Sequence, residues 1–162
     1  MLTLILTFVV GITCSGMKPS TAEYYQKCIT DAGAELVILD RYAQDAEMAE
    51  KLMEGIDALI VPGKTAKDTA KRNDFDKRMI KVALRDGKPV LGICKGHQCI
   101  NSFFKGKTVK LKEYYPDSDV CHKKLIKQED GTKYNVTLNS QCHSINIEEG
   151  SVLSSCLGGV TE

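Results

Sequence analysis

The sequence predicts a doubly wound α/β domain with a mostly parallel sheet and helices on both faces. Short apolar runs rich in β-branched residues alternate with stretches in which apolar residues recur at helical spacing. Glycine or proline follows several of these segments and marks where they end. Strands that alternate with helices form parallel sheets through right-handed crossovers, and helices then cover both faces of the sheet.

The first element is an almost wholly apolar run, residues 2–10, which has two interpretations. Its length is that of the apolar core of a secretory signal. However, no Lys or Arg precedes the run and no Ala-x-Ala-like site follows it. The run is also shorter than the roughly 20 residues that span a bilayer as a helix. Its β-branched residues favour a buried strand that opens the sheet.

Three helix–strand pairs follow, and a glycine closes each helix. The helices are predicted over residues 22–32, 47–53 and 75–83, ahead of Gly33, Gly55 and Gly87. The strands that come after them are predicted over residues 36–39, 58–61 and 89–93. In a parallel sheet, the site lies beyond the carboxyl ends of the strands, where residues 13–15, residues 62–63 and Cys94 would meet.

After Phe104 the pattern changes to short, polar, strand-like pieces, which predict a short antiparallel β extension. A hairpin is expected between residues 125–126 and 134–138, with its turn at Asp130 and Gly131. Lysines alternate along the preceding segment, and we interpret them as a solvated strand edge protected against pairing. They are Lys105, Lys107, Lys110 and Lys112. The sequence shows no repeat or interdomain linker, so one domain over residues 1–162 is expected.

Composition limits the classes of partner. A chain of 162 residues with 43% hydrophobic residues is large enough for one domain with its own core. Its formal net charge of +1 gives no electrostatic reason to expect nucleic acid or a membrane surface as a partner. Seven cysteines are an odd number without the dense spacing of small secreted domains, which favours reduced thiols and a cytoplasmic location.

Cys94 lies between Gly92 and Gly96, where an apolar run changes into a helical pattern. Gly-x-Cys-x-Gly is the thiol version of the Gly-x-Ser-x-Gly elbow, a sharp strand-to-helix turn that exposes a nucleophile. The first turn of the following helix offers backbone N–H groups and the positive end of the helix dipole. These favour a thiolate and can hold an oxyanion, especially through the N–H of Lys95. The alternative is a buried cysteine in an ordinary strand–helix turn.

Two segments carry a resemblance to a known family. Residues 72–76 read Arg-Asn-Asp-Phe-Asp, and residues 87–101 read Gly-Lys-Pro-Val-Leu-Gly-Ile-Cys-Lys-Gly-His-Gln-Cys-Ile-Asn. Both resemble class I glutamine amidotransferases, in particular their γ-glutamyl hydrolase branch, the γ-glutamyl-γ-aminobutyrate hydrolase type. Residues 10–13, 59–63 and 143–153 resemble further segments of that branch. The resemblance implies a flavodoxin-like sheet and hydrolysis of γ-glutamyl amide bonds in a small-molecule substrate. No cofactor is expected.

The resemblance also implies roles for single residues. Cys94 matches the nucleophile that attacks a γ-glutamyl side-chain amide and forms a thioester. The backbone N–H groups of Gly63 and Lys95 match the oxyanion hole, and Gln98 matches a residue that helps to hold the substrate. Lys64 departs from the family pattern, because many members have a second glycine there.

The catalytic base is the larger departure. The family places its histidine in an Asn-Ser-x-His segment, followed by an acidic partner. Residues 139–143 read Asn-Ser-Gln-Cys-His, so an ungapped match puts Cys142 at the catalytic place. A better alignment with the family places His143 at the start of a strand that precedes the catalytic segment and has only a structural role. His143 nevertheless stays a candidate for the general base. We therefore expect the chain to be truncated at its C-terminus relative to the family.

The remaining histidines are weaker candidates. His97 follows Cys94 by three residues on the predicted helix, where packing or surface roles are commoner than catalysis. His122 forms a Cys-His pair with Cys121, as His143 does with Cys142, and these four residues are conceivable zinc ligands. Adjacent ligands lack the Cys-x₂-Cys spacing of common zinc sites, so a metal is not expected.

Three functions stay open on this basis. The first is a cysteine-dependent γ-glutamyl hydrolase or amidase. The second is a shortened, non-catalytic relative that acts as a binding or interaction protein. The third is the intracellular protease and chaperone-like branch with the same sheet, which Cys-x-Gly-x-Gln and residues 72–76 fit less well. A missing end of the sheet would leave an exposed apolar edge that a homodimer could cover.

Overall fold

The computed structural model describes residues 7–13, 17–39, 45–63, 70–114, 116, 124–127, 133–136 and 145–159. The chain divides into two compact units, Met1–Thr108 and Val109–Glu162. The first unit contains a four-stranded sheet with its helices, and the second contains a two-stranded hairpin. The single domain over residues 1–162 stays a prediction.

Strands and helices alternate along the first unit, as the sequence predicts. The strands are β1 (Val9–Thr13), β2 (Glu35–Leu39), β3 (Ala58–Val61) and β4 (Val90–Gly92). The helices are α1 (Pro19–Asp31), α2 (Ala46–Glu54), α3 (Ala70–Arg85) and α4 (Lys95–Phe103). The strands lie in the order β2-β1-β3-β4, and every neighbouring pair is parallel. A parallel sheet with helices confirms the predicted α/β class.

Local signals set the ends of these helices. Pro19 begins α1, where its missing N–H has no partner to lose. The Asp45 carboxylate accepts a hydrogen bond from the N–H of Met48 at 2.7 Å and so caps α2. Gly33, which follows α1, has a φ of +80°, a conformation that other residues rarely adopt. The helix boundaries therefore lie within a few residues of those predicted.

Two apolar clusters lie against the sheet. Val10, Ile12, Leu36 and Ile60 form the first cluster, and Tyr25 and Ile29 of α1 pack against it. The second cluster combines residues of β2 and β3 with residues of α2, α3 and α4. It includes all four residues predicted for the apolar face of α3, namely Phe75, Met79, Val82 and Ala83. Because side chains alternate between the faces of a strand, both faces of the sheet become covered.

The first strand begins at Val9, later than predicted, and residues 2–6 lie outside the described residues. Asp57 contacts this strand at its start. Its carboxylate accepts from the N–H of Val9 at 2.7 Å, and its own N–H donates to the Val9 carbonyl at 2.8 Å. No helix among the described residues is both long and apolar enough to cross a bilayer.

The second unit contains α5 (Leu111–Tyr114), β5 (Lys124–Lys127), β6 (Lys133–Val136) and α6 (Val152–Cys156). β5 and β6 pair in antiparallel fashion, with Lys124 opposite Val136, which confirms the predicted hairpin. The turn residues Asp130 and Gly131 lie outside the described residues. Residues 145–148, in the segment expected to be a structural strand, form no strand.

The predicted strand edge at the alternating lysines is wrong. Residues 106–110 form no strand, and Lys112 lies in the short helix α5. The backbone turns back on the end of α4 instead. Lys105 has a φ of +63°, the N–H of Gly106 donates to the Asn101 carbonyl, and the Asn101 side chain donates to the Lys107 carbonyl. These contacts take up backbone groups that a sheet ladder would need.

Candidate active site

Cys94 occupies the turn between β4 and α4. Its φ of 53° and ψ of −106° lie outside the regions that non-glycine residues adopt without strain. The next residue begins α4, and the N–H of Gln98 donates to the Cys94 carbonyl at 3.2 Å. The N–H of Gly96 donates to the Ile93 carbonyl at 2.9 Å. The chain therefore changes from strand to helix within a few residues, as an elbow requires.

Two glycines leave room for this turn. A Cβ atom at Gly92 would lie 2.6 Å from Cδ1 of Ile100 and 2.7 Å from the backbone nitrogen of His97. A Cβ atom at Gly96 would collide with the Val61 carbonyl oxygen and lie 2.6 Å from its carbonyl carbon. The first turn of α4 consequently packs directly on the backbone of β3.

Gly63 lies beside the elbow. A Cβ atom at Gly63 would lie 3.5 Å from the Cβ of Cys94 and 3.7 Å from the Ile93 carbonyl oxygen. The N–H of Ile93 donates to the Val61 carbonyl at 2.9 Å, so the ends of β3 and β4 stay in register. The structure thus brings together Cys94 and Gly63 at the carboxyl edge of the sheet, where α/β proteins place their ligands.

A buried ion pair supports the segment that contains Gly63. Arg72 of α3 donates from Nη2 to the carbonyl oxygens of Pro62 and Gly63, both at 3.1 Å. Its Nε lies 3.4 Å from Oδ2 of Asp76, and the two side chains are only 1% and 2% exposed. In the sequence, this ion pair could have been predicted from two opposite charges at i and i+4 within the apolar stripe of a helix. Sequence reasoning used these residues only as part of a resemblance and missed the contact.

The Cys94 thiol is free and exposed, unlike that of a structural cysteine. Cys99, on the same helix, shows the contrast. It is buried, and burial, together with the nearby Asp76 carboxylate, raises the pKa of its thiol. Cys28 and Cys156 are free and exposed as well, but neither lies at a strand–helix elbow. The observed exposure removes the alternative of a buried cysteine at position 94.

The other predicted site residues fall into two groups. Lys95 is the first residue of α4, Gln98 lies one turn further along, and both Gln98 and His97 are exposed. His143, and the weaker candidate His122, lie outside the described residues. The same holds for Lys64, Cys121 and Cys142. Within the described part of the chain, no three His, Cys, Asp or Glu side chains converge as metal ligands.

Comparison with known sequences places the chain in a family. The sequence profile of the Peptidase C26 family matches residues 10–162. A Rickettsia bellii protein provisionally named an ankyrin repeat protein is 29% identical over 137 residues, which are 67% of this chain and 22% of the relative. A Rickettsia prowazekii protein provisionally named glutamine amidotransferase-like is 32% identical over 102 residues, which are 53% of this chain and 35% of the relative. The chain therefore spans a minor part of these relatives.

A solved structure shares the fold. It is the glutaminase domain of Trypanosoma brucei CTPS with bound acivicin, which has 17% sequence identity and a TM-score of 0.55. The alignment covers 96% of this chain and 64% of the solved chain. This likeness confirms the doubly wound α/β architecture that the sequence predicts.

Proposed function

Because the chain belongs to the Peptidase C26 family of class I glutamine amidotransferase-like proteins, we propose that it cleaves γ-glutamyl amide bonds through a thioester on Cys94. One observation carries the proposal. The Cys94 thiol is exposed on a strained elbow at the start of α4, and its Cβ lies beside Gly63 at the end of β3. An exposed nucleophile between a helix N-terminus and a strand end is the arrangement that acyl transfer needs.

The proposed reaction has two steps. Sγ of Cys94 attacks the carbonyl carbon of the γ-glutamyl amide, a C–S bond forms, and the carbonyl electron pair moves to the oxygen. That electron pair then returns, the C–N bond breaks, and the amine leaves with a proton. Water next attacks the thioester, and the Cys94 thiol and a free γ-carboxylate are released. The backbone N–H groups of Gly63 and Lys95 are the proposed donors to the oxyanion.

The proposed contribution of the oxyanion hole is large. Removing one preorganised donor of this kind lowers a rate by roughly 10²–10³-fold. The elbow favours such preorganisation because α4 packs on β3 without an intervening side chain at Gly96. Gln98 is exposed in α4, and its N–H donates to the Cys94 carbonyl at 3.2 Å. We propose that Gln98 contacts the substrate.

The proposed reaction also requires proton transfer. Departure of the amine and attack by water both need a group that donates or accepts a proton. His143 is the proposed group from the sequence, and it lies outside the described residues. Loss of this function lowers turnover by about 10²–10⁴-fold. A chain without a working base would therefore acylate slowly and retain the thioester.

The test is the intact mass of acid-quenched protein after incubation with a γ-glutamyl amide. We expect an acyl adduct on the wild-type chain and none on Cys94→Ala. Cys156→Ala is the matched control, because Cys156 is also free and exposed, and it should behave as wild type. Wild-type protein with no adduct and no released amine would overturn the proposal in favour of the non-catalytic relative. Acivicin, bound in the solved CTPS domain, provides a second probe.

A homodimer is a further proposal. β4 forms one edge of the four described strands, and Leu91 and Ile93 near that edge are 56% and 37% exposed. Exposed apolar side chains beside a strand edge favour association. Size-exclusion chromatography with light scattering should give twice the mass of the chain. A monomer over a wide concentration range would rule out the homodimer.

A further inference from the structure

We infer that Arg72 is a positioning residue for the oxyanion hole: its guanidinium holds the peptide groups after β3 so that the N–H of Gly63 is kept in place beside Cys94. This role rests on the proposed function, since it concerns the same acyl-transfer site. It assigns a catalytic task to the buried ion pair of Arg72 with Asp76.

The geometry of the peptide links the two groups. Arg72 binds the carbonyl oxygen of Pro62, and that carbonyl belongs to the same peptide plane as the N–H of Gly63. No cis peptide bond occurs among the described residues, so this N–H points opposite to the carbonyl, away from the guanidinium. The second bond, to the Gly63 carbonyl, fixes the next peptide plane as well. One planar side chain therefore sets the orientation of two successive peptide groups.

The position of Gly63 gives this orientation a consequence for chemistry. The Gly63 backbone lies against the elbow, with the Cβ of Cys94 only 3.5 Å from where a Gly63 side chain would begin. A rotation of the Pro62–Gly63 peptide plane would move the proposed donor relative to the thiol. Misplacement of reacting groups by about 1 Å costs on the order of 10²-fold in rate, even when the altered residue is remote.

The burial of the pair explains why Arg72 stays in one place. Asp76 lies 3.4 Å from Nε of Arg72, and both residues are almost fully buried on the same helix. A buried charge is tolerated only when it is paired and hydrogen-bonded. Asp76 thus orients one side of the guanidinium, which leaves Nη2 directed at the two carbonyls. Lysine at this position would keep the charge but lose the planar fork.

The experiment compares two reactions of the same thiol. Acylation by a γ-glutamyl amide passes through an oxyanion, whereas alkylation by iodoacetamide displaces iodide and forms none. We expect Arg72→Lys to lower the acylation rate by about 10²-fold and to leave the alkylation rate of Cys94 unchanged. Arg85→Lys is the matched control on the same helix, because Arg85 is exposed and pairs with Glu50. It should change neither rate.

A double variant covers the case in which Arg72→Lys unfolds the chain. R72M/D76L removes both charges of the ion pair together, so neither is left without the other, and still removes the contacts to the two carbonyls. The same selective loss of acylation is expected. Equal acylation in wild type and variants would overturn the role of Arg72, as would a parallel fall in both rates, which a merely structural role predicts. Wild-type protein that alkylates but never acylates would instead overturn the proposed function itself.

Discussion

Substitution of Gly96 by alanine tests whether α4 packs on β3 as described. The new Cβ atom would lie 2.6 Å from the Val61 carbonyl carbon and 3.1 Å from the Pro62 carbonyl oxygen. Both are backbone atoms of a buried segment, so neither can rotate away as the end of a side chain does. Relief of the overlap requires α4 or the end of β3 to move.

The size of the effect follows from two opposing contributions. Alanine is more favourable than glycine by up to about 1 kcal/mol in an unobstructed helix. Overpacking of a tight interior costs about 1–3 kcal/mol, and backbone overlap belongs at the upper end. The net expectation is that Gly96→Ala lowers the free energy of unfolding by about 2 kcal/mol. Gly55→Ala is the control, since Gly55 has a φ of −91° and nothing within 4 Å of its would-be Cβ.

Urea unfolding at equilibrium provides the measurement. With a denaturant slope of about 2 kcal/mol per molar, Gly96→Ala should lower the midpoint by about 1 M while the slope stays the same. Gly55→Ala should leave the midpoint unchanged or raise it slightly. A Gly96→Ala midpoint equal to or above that of wild type would show that the helix does not rest on the strand, and the elbow geometry would be wrong.

Substitutions at three further positions have defined outcomes. Gly63→Ala adds a methyl group 3.5 Å from the Cβ of Cys94, which is an ordinary contact distance. The free energy of unfolding should therefore change by less than about 0.5 kcal/mol, while iodoacetamide labelling of Cys94 slows. Equal labelling rates in variant and wild type would show that Gly63 does not lie beside Cys94. Asp45→Ala removes the acceptor for the N–H of Met48 and should cost about 1 kcal/mol in urea unfolding, which Asp45→Asn should restore. Burial raises the pKa of the Cys99 thiol above its ordinary 9.0, so the unfolded chain loses the thiol proton at a lower pH than the folded chain. The free energy of unfolding should therefore fall as pH rises past 9.0. Cys99→Ala should flatten this part of the stability–pH curve, and an unchanged slope would contradict the burial.

Local patterns were enough to predict most of the first unit. The apolar run at residues 58–61 matches β3 residue for residue, because a short apolar run that ends at a Pro-Gly turn signal has few alternatives. The elbow at Cys94 could also be predicted from the sequence, because two glycines at fixed spacing are needed where α4 meets β3. These features depend on neighbours in sequence.

Features that depend on distant contacts were missed. The alternating lysines near residue 107 resemble a strand edge, but no described strand pairs with them, and their backbone bonds to Asn101 instead. The role of the ion pair of Arg72 with Asp76 was also not predicted, because Arg72 donates hydrogen bonds to backbone carbonyl oxygens after β3. Side-chain identity alone does not specify a contact with the backbone of another element.

The decisive measurement for an activated nucleophile at Cys94 is the relative reactivity of the cysteines of this chain towards a γ-glutamyl-directed electrophile. A diazo-ketone glutamine analogue is added to the native chain, and the labelled positions are mapped by mass spectrometry over time. We expect Cys94 to be labelled well before Cys28 and Cys156, which are also free and exposed. Labelling of all three at the same rate would contradict this expectation, because exposure alone would then account for the reactivity of Cys94.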